Sequence, residues 1–439
     1  MAARRRLVQD AGVLPRSEGS QAPRAPVPPG FSRGENRLGE VYYRDRYLPL
    51  DHRHGEVDIG AAAELDTQLL ERLGEGLTAA HIRGAAFLDI ETTGLSGGTG
   101  TYAFLIGVGT FESLAFRVRQ FVLGDPRGEA AMLCALSETI DRCAALVTFN
   151  GKTFDLPQLS TRYALNRLAP PADLPHIDLL HPARRLFGRR LQSCRLSEIE
   201  RGLLGLRRQD DLPSWMIPGL YFAYVRGGHV DGLNPVFQHN LLDVVSLAAF
   251  VAYLNGVAGR APGEDAHGAL ALARWDESRG RYAEAMRLYE EAWDRDPDGD
   301  VGGEAVSRLA RLVRWSGDWR RCEALWTEEE KRTGSVRRAL RARVELAKLA
   351  EHRLRDVGKA LEYTREAIEL LAVNPQVART LPETSAALAH RLRRLERRIF
   401  ARLSGQHRRS GRAAVTGSLS SPRPGDSIPS TGRVLEPTP

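Results

Sequence analysis

The hydrophobic period changes once along these 439 residues, near residue 260, and that change divides the fold into two parts. Before it, apolar residues come in short runs of strand length, AAFLDIET, TYAFLIGVGTF and ALVTF. A glycine-rich turn, SGGTG, and stretches of helical spacing such as EAAMLCALSETIDRC separate them, and LAFRVRQFVL alternates apolar and basic residues as a further strand does. After it, one helical pattern follows another to about residue 400. Period two and period 3.6 bury differently shaped faces, so the two halves settle into different architectures. Three strands, a helix, a strand and further helices is the order of an α/β domain with a mixed sheet flanked by helices; the second half is all-α. The length also exceeds what one ordinary core serves.

Composition marks the edges. Residues 1–38 are rich in Arg, Pro, Gly and Ser without sustained periodicity, and 405–439 are similar; both read as disordered segments. Residues 39–83 form a lead-in that packs on the next domain, with an aromatic extended stretch (VYYRDRYLPL) and a helix over AAAELDTQLLERL. The α/β domain is expected over 84–255 and the helical one over 264–400. Within the latter, Gly280, Tyr282, Ala285, Tyr289, Ala292 and Pro297 fit the second half of a tetratricopeptide repeat, and a small residue recurs at Ala285, Cys322 and Ala360. The steps of 37 and 38 exceed that family's 34, so the repeats are degenerate, and a plain helical bundle is the alternative. Such repeats leave a concave face suited to a peptide or partner protein.

The four cysteines, Cys134, Cys143, Cys194 and Cys322, form no CxxC pair, which argues against a zinc site or a disulfide framework. The N-terminus is basic but has no apolar h-region, and no apolar run approaches membrane-spanning length, so a cytoplasmic protein without membrane contact is expected. A net charge of +7 suits a polyanionic partner. That signal is discounted because only Lys152, Lys331, Lys348 and Lys359 are lysines; the other basic residues are all arginine, a skew typical of GC-rich coding.

Three segments place acids at telling positions. In the apolar strand AAFLDIE, Asp89 and Glu91 lie two apart and share a face, a costly arrangement that a hard divalent cation relieves. Asp155, in NGKTFDLP after the strand ALVTF, falls at a helix start, where it also suits an N-cap. His239 and Asp243, four apart, share one face of an otherwise apolar helix, where a simple hydrogen bond between them accounts for the pair as well as a functional role does. Asp178 reads as a helix-start cap, with His176 and His181 structural beside it. Arg184, Arg185, Arg189 and Arg190 form a basic cluster that suits either a phosphate backbone or plain solvent.

Taken in order, D-x-E-T on the first strand, N-x-x-x-F-D at a strand-to-helix junction and H-x-x-x-D on a later helix resemble the four-carboxylate (DEDD) exonuclease superfamily, and the first two motifs look especially like the B-type polymerase exonuclease. More particularly, residues 84–254 resemble the bacterial ribonuclease H-like domain of the YprB type, a likeness that takes in HIDLLHPARR at 176–185, SCRLS at 193–197, and Ile217, Pro218 and Tyr221. The resemblance implies a ribonuclease H-like fold and 3′→5′ phosphodiester hydrolysis on nucleic acid, most naturally at a single-stranded 3′ end. It implies that Asp89, Glu91, Asp155 and Asp243 hold two Mg²⁺ or Mn²⁺ ions, with His239 as general base and Thr93, Asn150 and Lys152 positioning the terminal nucleotide. One departure stands out: a histidine occupies the spacing that the superfamily gives to tyrosine, since its histidine members place that residue one position further from the aspartate. The alternative is a ribonuclease H-like scaffold that binds nucleic acid without cutting it, or one whose repeats do the work.

Overall fold

The computed structural model describes residues 26–415 except 75, 95–98, 210–211, 228–229 and 260–265. Most of the expected N-terminal arm, part of the glycine-rich turn and the end of the C-terminal tail therefore lie outside the described residues. The chain divides into two compact units, Met1–Ala305 and Val306–Pro439.

The first unit is built on a seven-stranded sheet of β1 (Ser32–Asn36), β2 (Gly39–Pro49), β5 (Ala85–Thr92), β6 (Ala103–Phe111), β7 (Ala115–Val122), β8 (Ala145–Thr148) and β9 (His176–Asp178). A separate two-stranded ladder joins β3 (Arg53–His54) and β4 (Val57–Asp58). The sheet order is β1-β2-β7-β6-β5-β8-β9. β5 runs parallel to β8, and β8 to β9, while the other pairs are antiparallel. From β7 to β9 this is the mixed sheet of a ribonuclease H-like fold, extended at one edge by β2 and β1. The helices are α1 (Thr67–Leu73), α2 (Ala79–Arg83), α3 (Glu129–Ile140), α4 (Asp155–Leu165), α5 (Leu180–Phe187), α6 (Leu196–Ile199), α7 (Ile217–Val225) and α8 (Asn234–Gly259).

β5 is central, so both of its faces are covered and it reads as a nearly continuous apolar run. Ala86, Leu88 and Ile90 point into a core shared with Leu133 and Leu136 of α3, Tyr163 of α4 and Tyr221 of α7. Phe87, Asp89 and Glu91 take the other face by alternation, the face that α8 crosses. Helix α8 belongs to a stretch, Val230–Val257, long and apolar enough to cross a bilayer, contrary to the expectation that no run approaches that length; 61% of its most apolar window is buried inside the protein, which fits a core helix.

Two edges differ from the sequence reading. Residues 32–36, assigned to the arm by composition, form β1, because a polar edge strand takes its ladder hydrogen bonds from β2 and its anchor from Phe31, whose ring lies 4.7 Å from Phe237. The helix expected over residues 61–73 is two pieces, a 3₁₀ turn at Ile59–Ala63 and α1, so that both Ile59 and Leu69 are buried.

Beyond α8 the chain is all helical: α9 (Ala266–Ser278), α10 (Tyr282–Arg295), α11 (Asp300–Trp315), α12 (Trp319–Arg332), α13 (Val336–Leu349), α14 (Val357–Ala372), α15 (Pro375–Thr380) and α16 (Pro382–Val415). The last helix runs past residue 405, where composition alone suggested a tail. A local pattern recurs. Gly280, Gly317 and Arg355 each adopt a left-handed conformation two residues before α10, α12 and α14, and Ala285, Cys322 and Ala360 are each the buried fourth residue of those helices. The extra residue in the second step coincides with a π-helical turn, Ala350–Leu354, which absorbs one residue before the left-handed turn.

Candidate active site

Asp89 and Glu91 sit on the end of β5 nearest a bulge, where the register with β6 slips between Glu91 and Thr92. Bulges redirect side chains at a strand end. Asn240 of α8 donates to Asp89 Oδ2 at 2.8 Å and to the Asp89 carbonyl at 3.2 Å. Two glycines let α8 come that close. Gly107 pairs with Asp89 across the ladder, and a Cβ there would lie 2.4 Å from Asn240 Oδ1; one at Gly109 would lie 2.8 Å from Val244. Behind Asn240 runs a buried relay: Gln120 donates to Asn240 Oδ1 (2.7 Å) and to the Phe237 carbonyl (2.9 Å), and Arg44 donates to Gln120 Oε1 (2.7 Å). The Arg44 guanidinium lies over the rings of both Phe31 and Phe237, 5.0 Å from each centroid.

The second motif is shaped by Asp178. This buried carboxylate accepts from the backbone amides of Asn150 (2.8 Å), Lys152 (3.1 Å) and Leu180 (3.1 Å). It therefore caps the turn before α5, as expected, and also fixes the loop that delivers Asp155, including the left-handed Asn150. Asp155 is buried at the first position of α4. The three residues expected to position a nucleotide are engaged locally or face solvent. Thr93 Oγ1 accepts from the Tyr102 amide (2.9 Å), Asn150 Oδ1 accepts from Thr153 Oγ1 (2.7 Å), and Lys152 is exposed. His176 bonds Thr148 Oγ1, and burial pushes its imidazole down to about 4, which fits a structural role.

The third motif meets the first. His239 Nε2 lies 3.5 Å from Asp243 Oδ2 and 3.9 Å from Glu91 Oε1. A residue that sequence reasoning overlooked, Arg208, completes this corner. It pairs with both Asp243 and the buried Glu200, and its Nη1 lies 3.3 Å from His239 Nδ1. Glu200 also accepts from Ser246, whose hydroxyl meets His54 Nε2 at 2.7 Å. In the run LRRQDD, inside an arginine-rich chain, nothing set Arg208 apart from any solvated arginine.

The four acids act on one another. Burial, then the charges of Asp243, Glu91 and Asp155, push the Asp89 carboxyl well above the carboxylate range, against the opposing bond from Asn240. Asp155 is pushed up to about 7, by burial first and then by Asp178 and Asp243, while bonds from its own amide and that of Ile90 pull it down. Acids three separate segments apart thus share one low-dielectric space. Among the described residues, Glu91, His239 and Asp243 are the group whose ligand atoms all lie within 4.8 Å of one another; Asp89 and Asp155, also expected as metal ligands, fall outside it. An oxygen-dominated donor set whose own charges disfavour ionisation suits a hard divalent cation such as Mg²⁺ or Mn²⁺.

Residues 86–255 match the RNase_H superfamily. The chain is similar to the uncharacterized protein YprB of Bacillus subtilis (strain 168), with 32% identity over 334 residues that cover 74% of this chain and 79% of that protein.

Proposed function

This chain belongs to the family of YprB, with an RNase_H superfamily domain at 86–255, and on that footing we propose that it is a metal-dependent nuclease that hydrolyses nucleic acid stepwise from the 3′ end. One observation carries the reading: Asp89, Glu91, Asp155 and Asp243, from three distant segments, are close enough to raise the pKa of Asp89 together. These four would hold the ions. A bound pair of Mg²⁺ or Mn²⁺ supplies an acidified water and neutralises charge on the phosphate.

The chain's own residues set the geometry. Asn240 fixes the rotation of the Asp89 carboxyl, and Asp178 fixes the loop from which Asp155 projects. Lys152, exposed on that loop, meets the substrate's phosphates from the solvent side. The exonucleolytic direction is supported by the motif order and by the tyrosine-type spacing of His239 and Asp243. The recurring turns and small residues of the helical region support degenerate tetratricopeptide-like repeats that hold a protein partner.

The test is degradation of a 5′-labelled single strand in Mn²⁺. Products shorten one nucleotide at a time, a chelator stops the reaction, and Asp89→Asn and Asp155→Asn each slow it by about two orders of magnitude or more. Undiminished rates in both variants, or equal cutting of a circular strand, would overturn the reading.

A further inference from the structure

We infer that Gln120 and Arg44 are positioning residues for the metal site: they hold Asn240, and through it the Asp89 carboxyl, in one orientation. Arg44 does so from β2, a strand outside the matched residues 86–255. The inference rests on the reading of Asp89 as a metal ligand.

Asp89, Gly107, Gln120 and Arg44 stand in one row across the sheet. The register pairs Asp89 of β5 with Gly107 of β6, Gly107 with Gln120 of β7, and Gln120 with Arg44 of β2. Residues directly opposite one another share a face, so the whole row lies on the side that α8 crosses. Three of its members carry polar side chains, and Gly107 leaves a gap between them. Asn240 of α8 fills that gap, since a Cβ at Gly107 would come 2.4 Å from Asn240 Oδ1. The result is an unbroken relay from β2 to β5. Arg44 Nε donates to Gln120 Oε1 (2.7 Å), Gln120 Nε2 to Asn240 Oδ1 (2.7 Å), and Asn240 Nδ2 to Asp89 Oδ2 (2.8 Å).

Groups of fixed polarity orient both amides. A guanidinium only donates, so Gln120 must turn its oxygen to Arg44. A backbone carbonyl only accepts, so Gln120 turns its nitrogen to the Phe237 carbonyl at 2.9 Å. With Gln120 donating, Asn240 presents its oxygen to Gln120 and its nitrogen to the Asp89 carbonyl and carboxyl. Neither amide can flip without setting donor against donor or acceptor against acceptor. A carboxyl held at Oδ2 has its rotation set, and the direction of Oδ1 with it. Arg44 anchors the relay. It is buried over the Phe31 and Phe237 rings, and no acid among the described residues pairs with it. A cation buried without a counter-charge is costly, and the acceptor that receives it here is the amide that orients Asn240. Hydrogen-bond partners behind a metal ligand set its direction and tune its affinity for the ion.

The test titrates Mn²⁺ into the full chain by calorimetry at neutral pH and, separately, measures how much Mn²⁺ the nuclease assay requires. Gln120→Glu keeps the shape and the acceptor for Arg44, but a carboxylate beside that cation cannot donate to Asn240. Arg44→Met removes the anchor. Both should weaken Mn²⁺ binding by roughly 10- to 100-fold. Both also make the surroundings more negative, which by charge alone would tighten the hold on a cation, so the sign of the change separates positioning from electrostatics. Arg44→Lys should keep most of the affinity, because the donating atom is Nε, a position that a lysine chain reaches. In the assay, the Mn²⁺ concentration for half-maximal rate should rise by a similar factor while KM for the strand holds. Wild-type or tighter Mn²⁺ binding in a folded Gln120→Glu overturns the inference, whether or not Arg44→Met folds, and so does a change confined to KM. A wild type that binds no Mn²⁺, or an Asp89→Asn variant that binds it as well, would instead sink the metal reading and the inference with it.

Discussion

At Asp155, burial and neighbouring acids favour the proton, and this has a consequence for stability. Its carboxyl titrates at about 7 in the folded chain, against 3.8 for an unperturbed aspartate. A group that binds its proton more tightly when folded contributes stability fully below its unfolded pKa and loses it as pH rises through the folded value. Asp89 is shifted the same way. The melting temperature of the metal-free protein should therefore fall as pH climbs from about 4 through about 7, and the rise produced by Mn²⁺ should be larger at the alkaline end. Thermal scans with and without Mn²⁺ across that range check this; a flat metal-free profile would contradict it. The acids stood out in the sequence only as an ordered set of three motifs, since each motif taken by itself has an ordinary structural explanation. Asn240 and Arg208 did not stand out. Asn240 is one polar residue in an apolar helix, and its meaning comes from Gly107 on a strand far away in sequence. Arg208 gains its role only when the fold brings Glu200 and Asp243 to it.

Among the elements, the close approach of α8 to β6 depends on the absence of a side chain at Gly107 and Gly109. Gly107→Ala would place a Cβ 2.4 Å from Asn240 Oδ1 and 2.8 Å from Val244. Since neither a packed helix nor a central strand yields freely, overpacking should cost about 1–3 kcal/mol and move Asn240, His239 and Asp243 away from β5. The expected outcome is a folded protein with lower unfolding free energy and much lower activity, read by urea titration and the Mn²⁺ assay; wild-type activity would show that α8 tolerates the shift. β5 to β8 and helices α3, α4 and α8 were legible from period; β9 was not, because three residues, His176–Asp178, are too short to show one, and Asp178 read only as a helix-start cap. β1 was not, because Ser32–Asn36 is polar and gains its structure from pairing with β2, an interaction that composition does not encode. The helix expected across residues 61–73 broke for a related reason: burying both Ile59 and Leu69 requires a change of direction between them.

Over the whole chain, the sequence placed a boundary near 260, where the period changes, whereas the first compact unit extends to Ala305 and includes α9 and α10. A buried ion pair explains part of this. Arg72 of α1, 2% exposed, donates from Nε and Nη2 to both carboxylate oxygens of Asp276 in α9, which is fully buried. Arg281 pairs with the same carboxylate. Asp276→Ala leaves Arg72 buried without its counter-charge and should destabilise the first unit by about 3–5 kcal/mol. Denaturant unfolding of the full chain measures it, and a negligible loss would mean that the pair does not fasten α9 to α1. Period reports which face of a helix is buried, but not against which neighbour, so this attachment was not visible in advance.

The central claim, that four acids from three segments share divalent ions, is tested most directly by calorimetric titration of Mn²⁺ into wild type, Asp89→Asn and Asp155→Asn at neutral pH. The account predicts saturable binding to the wild type that both variants lose or greatly weaken, with melting temperatures in the absence of metal equal to or above wild type, because each substitution removes a disfavoured charge. Undiminished Mn²⁺ binding in both variants would contradict it.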